Sequence, residues 1–296
     1  MSDTLRQSGV DSLLAGCARQ WALQEATGDR THTPPTLVGT AYHAAVETTE
    51  LLRADGKTPL SESQFGEVAQ QTFSDELPAV FTKSWQGRSE QHHRDELDAA
   101  CHHFFHTADE TTGLTPRETL EDLQPVALER HVHAVYIDDA APMSGTIDAL
   151  YEDADGRYIL VDHKTAGSFS GYKPEHKWPQ AVHYAVLAVL DETLPPTDLA
   201  DVAFRYLAVR KRLGKSKQFK GFKDIEIPLD LDAARRLADR LRAAQHVIDD
   251  GRFLPDPSWR LCAPEWCPYF TGCRITGELG GPWTQVRQHL DLKEDQ

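Results

Sequence analysis

The segment GTIDALYEDADGRYILVDHKTAG, residues 145–167, constrains the fold most strongly, because it places charged residues on two strand-like arms around a turn. Runs of β-branched and aromatic residues flank the Asp-Gly pair, which predicts a β-hairpin with its turn centred near Asp155. In an antiparallel pair about that centre, residues whose numbers sum to about 310 lie opposite one another, so Asp148 faces Asp162. Their Cβ atoms are then expected to lie roughly 4.5–5.5 Å apart.

The second arm of this hairpin is predicted to have one strongly polar face. Strand alternation places Asp162 and Lys164 on one face and His163 on the other. Directly opposed carboxylates destabilise a sheet unless a cation lies between them. Two carboxylates, a backbone carbonyl and water suit Mg²⁺ or Mn²⁺, and a neighbouring lysine can orient or deprotonate a water molecule or stabilise phosphoryl charge. The alternative interpretation is an exposed hairpin with solvated charges.

The cysteines predict a second metal site. Five are present, and three of them, Cys262, Cys267 and Cys273, fall within the segment CAPEWCPYFTGC. In an intracellular chain, cysteines grouped at ligand spacing indicate metal binding rather than disulfide bonds. The gaps of four and five residues are wider than those of most zinc ribbons. Cys101, in CHHFFH, is interpreted instead as a small buried residue on a helix.

Histidine is abundant, with fourteen residues in the chain. His102 and His106 form an i, i+4 pair that could bind a metal on a helix, and His92-His93 and His131/His133 are further candidates. No carboxylate or cysteine completes any of these sites at a recognisable sequence spacing. We therefore interpret these histidines as structural.

Three ordered motifs carry a family resemblance. They are G-x-x-D from Gly145 to Asp148, D-x-K at Asp162 and Lys164, and Q-x-x-x-Y at Gln180 and Tyr184. In this order they resemble the PD-(D/E)xK nucleases, in particular the RecB-like exonuclease branch that includes CRISPR-associated and AddB-type or phage exonucleases. The resemblance implies an α/β fold: a restriction-endonuclease-like core of mixed sheet flanked by helices, with a helical N-terminal part and a C-terminal iron-sulfur region.

The resemblance also assigns roles at the hairpin. It implies that Asp148 and Asp162 hold one or two Mg²⁺ or Mn²⁺ ions, together with the backbone carbonyl of His163. It implies that Lys164 positions or activates the attacking water. Glu129, on the predicted strand VALERHVHAVYI before the hairpin, is expected to approach the metal as an additional acid.

Two predicted helices supply the remaining site residues. In LVGTAYHAAVETTE, Thr40 is predicted as an N-cap with His43 one turn into the helix, and a histidine at this place in the resembling family reaches the metal. Gln180 and Tyr184 are four residues apart and share a helix face. The resemblance implies that Gln180 positions the lysine or the substrate backbone and that Tyr184 contacts nucleic acid. Without it, Tyr184 would be interpreted as core packing.

The resemblance further implies a 4Fe–4S cluster. The family has one cysteine before the catalytic core in a C-x-R-x-aromatic setting, which Cys17, Arg19 and Trp21 match. The implied cluster ligands are Cys17, Cys262, Cys267 and Cys273. Joining Cys17 to the others closes a loop of about 245 residues, so the cluster is expected to act as a staple between distant parts of the chain. A zinc site with the same four thiolates is the alternative.

The charge distribution bears on nucleic-acid binding. The formal net charge of −15 argues against a general nucleic-acid binder. The segment 205–223, however, contains eight basic residues and no acidic one, and it could track a phosphate backbone. The residues expected to contact phosphates are Arg210, Lys211, Arg212, Lys215, Lys217 and Lys220. The alternative is a solvated charged turn.

We expect one nuclease domain over residues 1–287. It comprises a helical part at 1–125, a catalytic core at 126–250 and a cysteine region at 251–275, followed by an acidic tail at 288–296. The core is expected to include the strand DVAFRYLAV, its partner KDIEIPL, and an amphipathic helix ending at Gly251. No membrane-length apolar run or signal peptide is recognised, which predicts a cytoplasmic protein.

The sequence therefore predicts a Mg²⁺- or Mn²⁺-dependent exonuclease that acts on DNA ends or single strands. Relatives of this kind serve in recombination, repair, phage DNA processing or CRISPR adaptation, and proteins of those pathways are the expected partners. Two alternatives remain open: a non-catalytic, cluster-stabilised nucleic-acid-binding subunit, and a zinc-binding interaction scaffold.

Overall fold

A mixed five-stranded sheet forms the centre of the fold in the computed structural model. Its strands are β1 (Gln124–Val135), β2 (Met143–Glu152), β3 (Tyr158–Ala166), β4 (Val202–Arg210) and β5 (Phe222–Ile227). They lie in the order β1-β2-β3-β4-β5, with β3 and β4 parallel and the other neighbours antiparallel. The structure describes residues 4–27, 33–80, 88–137, 140–170, 173–214, 220–251, 253–259, 262–263, 266–270 and 273.

Helices flank this sheet and make up most of the N-terminal part, as the sequence predicts. They are α1 (Gln7–Ala15), α2 (Ala18–Thr27), α3 (Pro34–Ala54), α4 (Glu62–Glu76), α5 (Glu90–His106), α6 (Pro116–Glu121), α7 (Pro174–Leu190) and α8 (Leu231–Asp250). The end of α8 at Gly251 is confirmed, because this glycine has a left-handed φ of 65° and its N–H is bonded to the carbonyl of Ile248. The α/β fold class is therefore confirmed.

The prediction that Thr40 caps the helix bearing His43 is wrong. That helix, α3, begins at Pro34, and Thr33 is its N-cap. The N–H of Thr33 is bonded to Oγ1 of Thr36 at 2.8 Å, and proline suits the first helical position because its φ is already helical. His43 therefore lies near the middle of α3 rather than one turn into the helix.

The predicted hairpin and its register are confirmed. The pairs Ala149–Val161, Leu150–Leu160, Tyr151–Ile159 and Glu152–Tyr158 lie opposite one another. In the turn, Oδ1 of Asp153 accepts the N–H groups of Asp155 and Arg157, and Gly156 adopts a φ of 78° that side chains rarely tolerate. Extending this register by one pair places Asp148 opposite Asp162.

The two faces of the sheet bury separate apolar clusters. On one face, Leu160 and Phe204 pack with Leu187 of α7 and Leu241 of α8. On the other face, Val161 packs with apolar residues of α3, α4 and α5, among them Tyr42, Phe65 and Phe104. Each fully buried large apolar side chain stabilises such a fold by about 1.5–3 kcal/mol. The alternation of β3 therefore fixes which of its polar residues faces α7 and which faces α3.

Some predictions fall outside the described residues: those for Lys215, Lys217 and the tail at 288–296. Within the described part of the chain, every helix is too short or too polar to cross a membrane.

Candidate active site

Three carboxylates lie side by side on three neighbouring strands. Asp148 is on β2 and Asp162 is on β3. Glu129, on β1, falls between the two observed pairs Leu128–Ala149 and Arg130–Ile147, which places it across from Asp148. The structure thus brings together the two acids of the hairpin and the additional acid expected from the strand before it.

Glu129 has an unusual backbone. Its φ is 43°, the one positive φ outside glycine among the residues that the structure describes. This left-handed conformation costs about 1–2 kcal/mol for a residue with a side chain. Strain of this kind concentrates at functional sites, where the surrounding structure holds it in place. Here it coincides with the arrival of the Glu129 carboxylate beside Asp148.

The Asp148 carboxylate is fixed by two partners. Its Oδ2 accepts the backbone N–H of His163 at 3.2 Å and lies 3.4 Å from Nδ1 of His43. The ladder between β2 and β3 ends at Ala149 and Val161, so the next N–H on this edge of β3 binds a side chain. The two strands therefore part where the acids lie.

Asp162 and Lys164 form an ion pair where the two strands part, with the carboxylate buried and the amine partly exposed. Nζ of Lys164 donates to Oδ1 of Asp162 at 2.7 Å, and Asp162 is only 2% exposed. Burial, and then the charge of Asp148, raise the pKa of Asp162 to about 7, although Lys164 opposes the rise. Burial alone would lower the pKa of Lys164, but the two carboxylates outweigh it and raise that pKa. Lys164 is thus a protonated amine that is bonded to Asp162 and stabilised by the charge of Asp148.

His43 and Glu47 reach the same place from α3. Burial, followed by the charge of Lys164, lowers the pKa of His43 to about 4, so its imidazole is neutral and able to bind a metal. His43, Glu129 and Asp148 present ligand atoms that all lie within 4.8 Å of one another. Burial, and then the carboxylates of Glu47 and Asp162, raise the pKa of Glu129 to about 7.

Glu47 is a site residue that the sequence reasoning missed. It lines an open groove of about 520 Å³ together with His43, Glu129 and Lys164. The available signal was its position four residues after His43, which places both side chains on one face of α3. Burial raises the pKa of Glu47 as well, so this acid adds to the concentration of carboxylates along the groove.

Gln180 and Tyr184 face the site from α7. Oε1 of Gln180 accepts a hydrogen bond from the Tyr206 hydroxyl at 2.9 Å. A Cβ atom added to Gly145 would lie 2.8 Å from Cδ1 of Leu187 and 3.1 Å from Cε1 of Tyr184. The glycine of the G-x-x-D motif therefore allows α7 to approach β2 closely. Tyr184 packs against the apolar cluster and also lies near the acids. Burial, and then the charge of Asp162, raise the pKa of its hydroxyl to about 12.

Four of the cysteines line one cavity although they are far apart in the sequence. They are Cys17, Cys262, Cys267 and Cys273. Burial, and then the other three thiols, raise the pKa of Cys267 to about 11. Cys101 lies elsewhere, on α5, where burial raises its pKa to about 12. The structure thus groups the cysteines as the sequence predicted.

The other motif residues near Cys17 join two parts of the chain. Nε of Arg19 donates to the carbonyl of Phe253 at 3.1 Å. The Trp21 ring lies 5.9 Å from the Phe253 ring, centroid to centroid. Arg19 and Trp21 therefore hold α2 against the segment that leads to the three C-terminal cysteines.

The predicted basic residues have different environments. Arg210 lies over the Phe169 ring at 5.4 Å, and Lys220 is paired with Glu110. The carbonyl of Arg212 accepts Nε2 of His103 at 2.8 Å. Lys211 is buried, with 8% exposure, and its Nζ donates to the carbonyl of Pro35 at 2.6 Å. The structure therefore removes Lys211 from the surface on which a phosphate contact was expected.

An acidic centre with a lysine paired to a buried carboxylate, placed where two strands of a mixed sheet part, defines the class as a metal-dependent nuclease. The family model of the PD-(D/E)XK nuclease superfamily matches residues 11–274, and the chain belongs to that superfamily. No curated protein matches the chain. A solved structure titled "Crystal structure of SSO0001" is 13% identical, with a TM-score of 0.31 over 89% of this chain and 96% of its own.

Proposed function

We propose that the chain is a Mg²⁺- or Mn²⁺-dependent exonuclease that hydrolyses phosphodiester bonds at DNA ends or in single strands. The observation that carries the proposal is the cluster of Asp148, Asp162 and Glu129 around the Lys164 amine. Glu129 and Lys164 of this cluster line an open groove. The groove exposes His43, Glu129 and Lys164 together. A phosphate entering it would therefore contact the candidate metal ligands and the positively charged amine in one place.

The donor set fits a hard divalent ion. Carboxylate oxygens and a neutral imidazole are ligands that Mg²⁺ and Mn²⁺ accept. Oδ2 of Asp162 is buried and has no hydrogen-bond partner among the described residues, which is costly for a carboxylate oxygen unless a cation binds it. We propose Asp148, Asp162, His43 and the carbonyl of His163 as ligands, with Glu129 as a further acid.

A bound ion would polarise the phosphodiester and lower the pKa of the attacking water. Lys164 would act as a charged donor rather than as a base, because its pKa is raised and the amine stays protonated. Its positive charge would stabilise the charge that develops on the phosphoryl oxygens. Gln180 would orient the scissile strand, and Tyr184 would contact the nucleic acid beside it.

The basic residues at the end of β4 and after it would hold the DNA backbone. Arg210 and Arg212 flank the buried Lys211, and Lys215, Lys217 and Lys220 follow in sequence. Contacts of this kind supply salt-dependent affinity without sequence preference. Lys211 would act indirectly, because its bond to the Pro35 carbonyl ties the end of β4 to the start of α3.

We further propose that the four grouped cysteines bind a 4Fe–4S cluster. All four cysteines line one cavity, which supports a shared set of four thiolate ligands. A zinc site with the same four thiolates is the alternative. The role of the cluster would be structural, as a staple within a single domain over residues 1–287.

The biological setting is part of the same proposal. We place the protein in the cytoplasm, with DNA as its substrate and with proteins of recombination, repair, phage DNA processing or CRISPR adaptation as its partners. A nuclease of this kind would shorten or trim DNA ends for those processes.

The test is degradation of end-labelled linear single- and double-stranded DNA with Mn²⁺ or Mg²⁺ by anaerobically purified protein. Wild type should release mononucleotides or short products, whereas Lys164→Ala should not. The control is Lys57→Ala, because Lys57 is an exposed lysine paired with Asp55 and lies outside the groove. DNA binding without cleavage by either wild type or the control would reject catalysis and favour a non-catalytic subunit. Protein with zinc and no iron would reject the cluster.

A further inference from the structure

The described residues contain two groups of metal-type ligands away from the nuclease site. One consists of His92, His93 and Glu96. Its carboxylate is already paired with His93 at 2.8 Å and lies 3.8 Å from the Arg88 guanidinium. An incoming cation would have to compete with that positive charge, so this group does not support a metal site.

The second group has a different environment. His102 and His106 lie on α5 with their ring centroids 4.7 Å apart. Glu62, in the first turn of α4, places Oε2 at 2.9 Å from Nε2 of His106. All three side chains are exposed, and their ligand atoms lie within 4.8 Å of one another. We propose that Glu62, His102 and His106 form a binding site for a divalent transition-metal ion, for which Zn²⁺ is the natural probe.

The ligand chemistry favours such an ion. Two imidazoles and one carboxylate are a common zinc ligand set that leaves a fourth position for water. Imidazole nitrogen also selects Zn²⁺, Ni²⁺ or Cu²⁺ over Mg²⁺, so this site and the oxygen-rich nuclease site would prefer different metals. Ligand atoms around zinc lie roughly 3.4 Å apart, and rotation of exposed side chains can supply the contraction from the present spacing.

The helices that carry these ligands are already fixed relative to one another. Phe65 of α4 stacks on Phe104 of α5 with ring centroids 4.7 Å apart. Gln70 of α4 also donates to Asp98 of α5 at 2.7 Å. Because packing holds the two backbones, little additional ordering opposes metal binding. The bound ion would join the first turn of α4 to the last residue of α5.

The sequence reasoning passed over this site because the completing ligand is distant. His102 and His106 were recognised as a pair, but Glu62 lies forty residues or more before them and is brought near only by the antiparallel packing of α4 and α5. The inference does not depend on the proposed nuclease activity, since none of its ligands belongs to the groove.

The experiment is equilibrium dialysis of the full chain against Zn²⁺ alone, with bound zinc measured directly. Wild type should bind one equivalent more than the double variant His102→Ala/His106→Ala. Glu62→Gln should weaken that equivalent at least about tenfold. The matched control is His246→Ala, because His246 is an exposed histidine on α8. Zn²⁺ should also raise the melting temperature of wild type more than that of the double variant.

Two results would overturn the proposal. Equal zinc uptake by wild type and the double variant would show that the histidines bind no ion. Loss of binding in the double variant with no effect of Glu62→Gln would reduce the site to a histidine pair. Thermal unfolding in a chelator should be the same for all variants, because the substituted side chains are exposed; this comparison separates loss of a ligand from loss of the fold.

Discussion

The backbone N–H of His163 donates a 3.2 Å hydrogen bond to the carboxylate of Asp148. This bond ties the acid of β2 to the strand that carries Asp162 and Lys164, so the separation between the acids is set by main chain rather than by side-chain rotation. A site held in this way is already organised before a metal binds, which reduces the ordering that binding requires.

Asp148→Asn tests whether the carboxylate charge is needed. The amide oxygen of asparagine can still accept the His163 N–H, so the fold should be retained while a negative ligand is lost. We expect Mn²⁺ affinity to fall at least about tenfold and nuclease activity about 100-fold or more. Calorimetric Mn²⁺ titration and the end-labelled DNA assay measure the two effects. Asp55→Asn, at an exposed acid, is the control, and normal Mn²⁺ binding by Asp148→Asn would contradict the assignment.

The pKa of Asp162 predicts opposite pH effects on stability and metal binding. The folded protein raises this pKa from 3.8 to about 7. Between about pH 4 and about pH 7 this carboxyl therefore binds more protons in the folded state than in the unfolded state, so its contribution to the free energy of unfolding of the metal-free protein falls as pH rises. Buried histidines such as His43, whose pKa is lowered to about 4, contribute with the opposite sign. Metal binding needs the ionised carboxylate, so Mn²⁺ affinity should rise over the same range.

Thermal unfolding without metal and Mn²⁺ titration at about pH 5.5 and about pH 8 measure these two trends. The difference in the free energy of unfolding between wild type and Asp162→Asn measures the contribution of Asp162, because Glu129, whose pKa is also raised to about 7, and the buried histidines are present in both proteins. A difference that grows in favour of wild type from the lower to the higher pH would contradict the sign.

The hairpin and its acids were predictable because the information is local. The Asp-Gly turn fixes the register, and the register alone places Asp148 opposite Asp162. Glu129 was expected only as an additional acid, because its left-handed backbone depends on tertiary contacts that strand alternation does not encode. The start of α3 was misplaced because Thr40 was interpreted as the N-cap, although Thr33 is also a capping residue and the proline after it suits the first helical position.

The strain at Glu129 predicts a gain in stability at the expense of function. Glu129→Gly removes both the carboxylate and the penalty for a φ of 43°, whereas Glu129→Ala removes the carboxylate alone. The glycine variant should therefore be more stable than the alanine variant by about 1 kcal/mol, and both should lose Mn²⁺ affinity equally. Urea unfolding gives the difference in stability. Equal stabilities would show that the backbone at this position relaxes without strain.

The close approach of α7 to β2 predicts a large effect of a single methyl group. In Gly145→Ala the new Cβ would lie 2.8 Å from Leu187 and 3.1 Å from Tyr184. We expect a loss of about 1–3 kcal/mol in the free energy of unfolding, because the helix must move away from the strand. Movement of α7 would also displace Gln180 and lower activity.

Gly66→Ala is the matched control for that substitution. Gly66 lies on α4, and a Cβ there would meet nothing within 4 Å. Alanine should stabilise the helix by about 0.5–1 kcal/mol, since it loses less backbone entropy than glycine on folding. Urea unfolding of both variants should therefore give opposite signs. A neutral Gly145→Ala would indicate that the motif glycine is not required for packing.

Cys267 belongs to the group of cysteines that line one cavity, whereas Cys101 lies apart on α5. We therefore expect Cys267→Ser to affect iron content and Cys101→Ser to leave it unchanged. Cys267 lines the cavity with Cys17 and the other grouped thiols, so its loss should remove bound iron and sulfide. Without the staple between Cys17 and the C-terminal segment, the melting temperature should fall and trypsin should cleave the chain faster. Cys101→Ser should keep the iron and lower stability only through burial of a hydroxyl on α5. Retention of four irons per chain by Cys267→Ser would remove this cysteine from the ligand set.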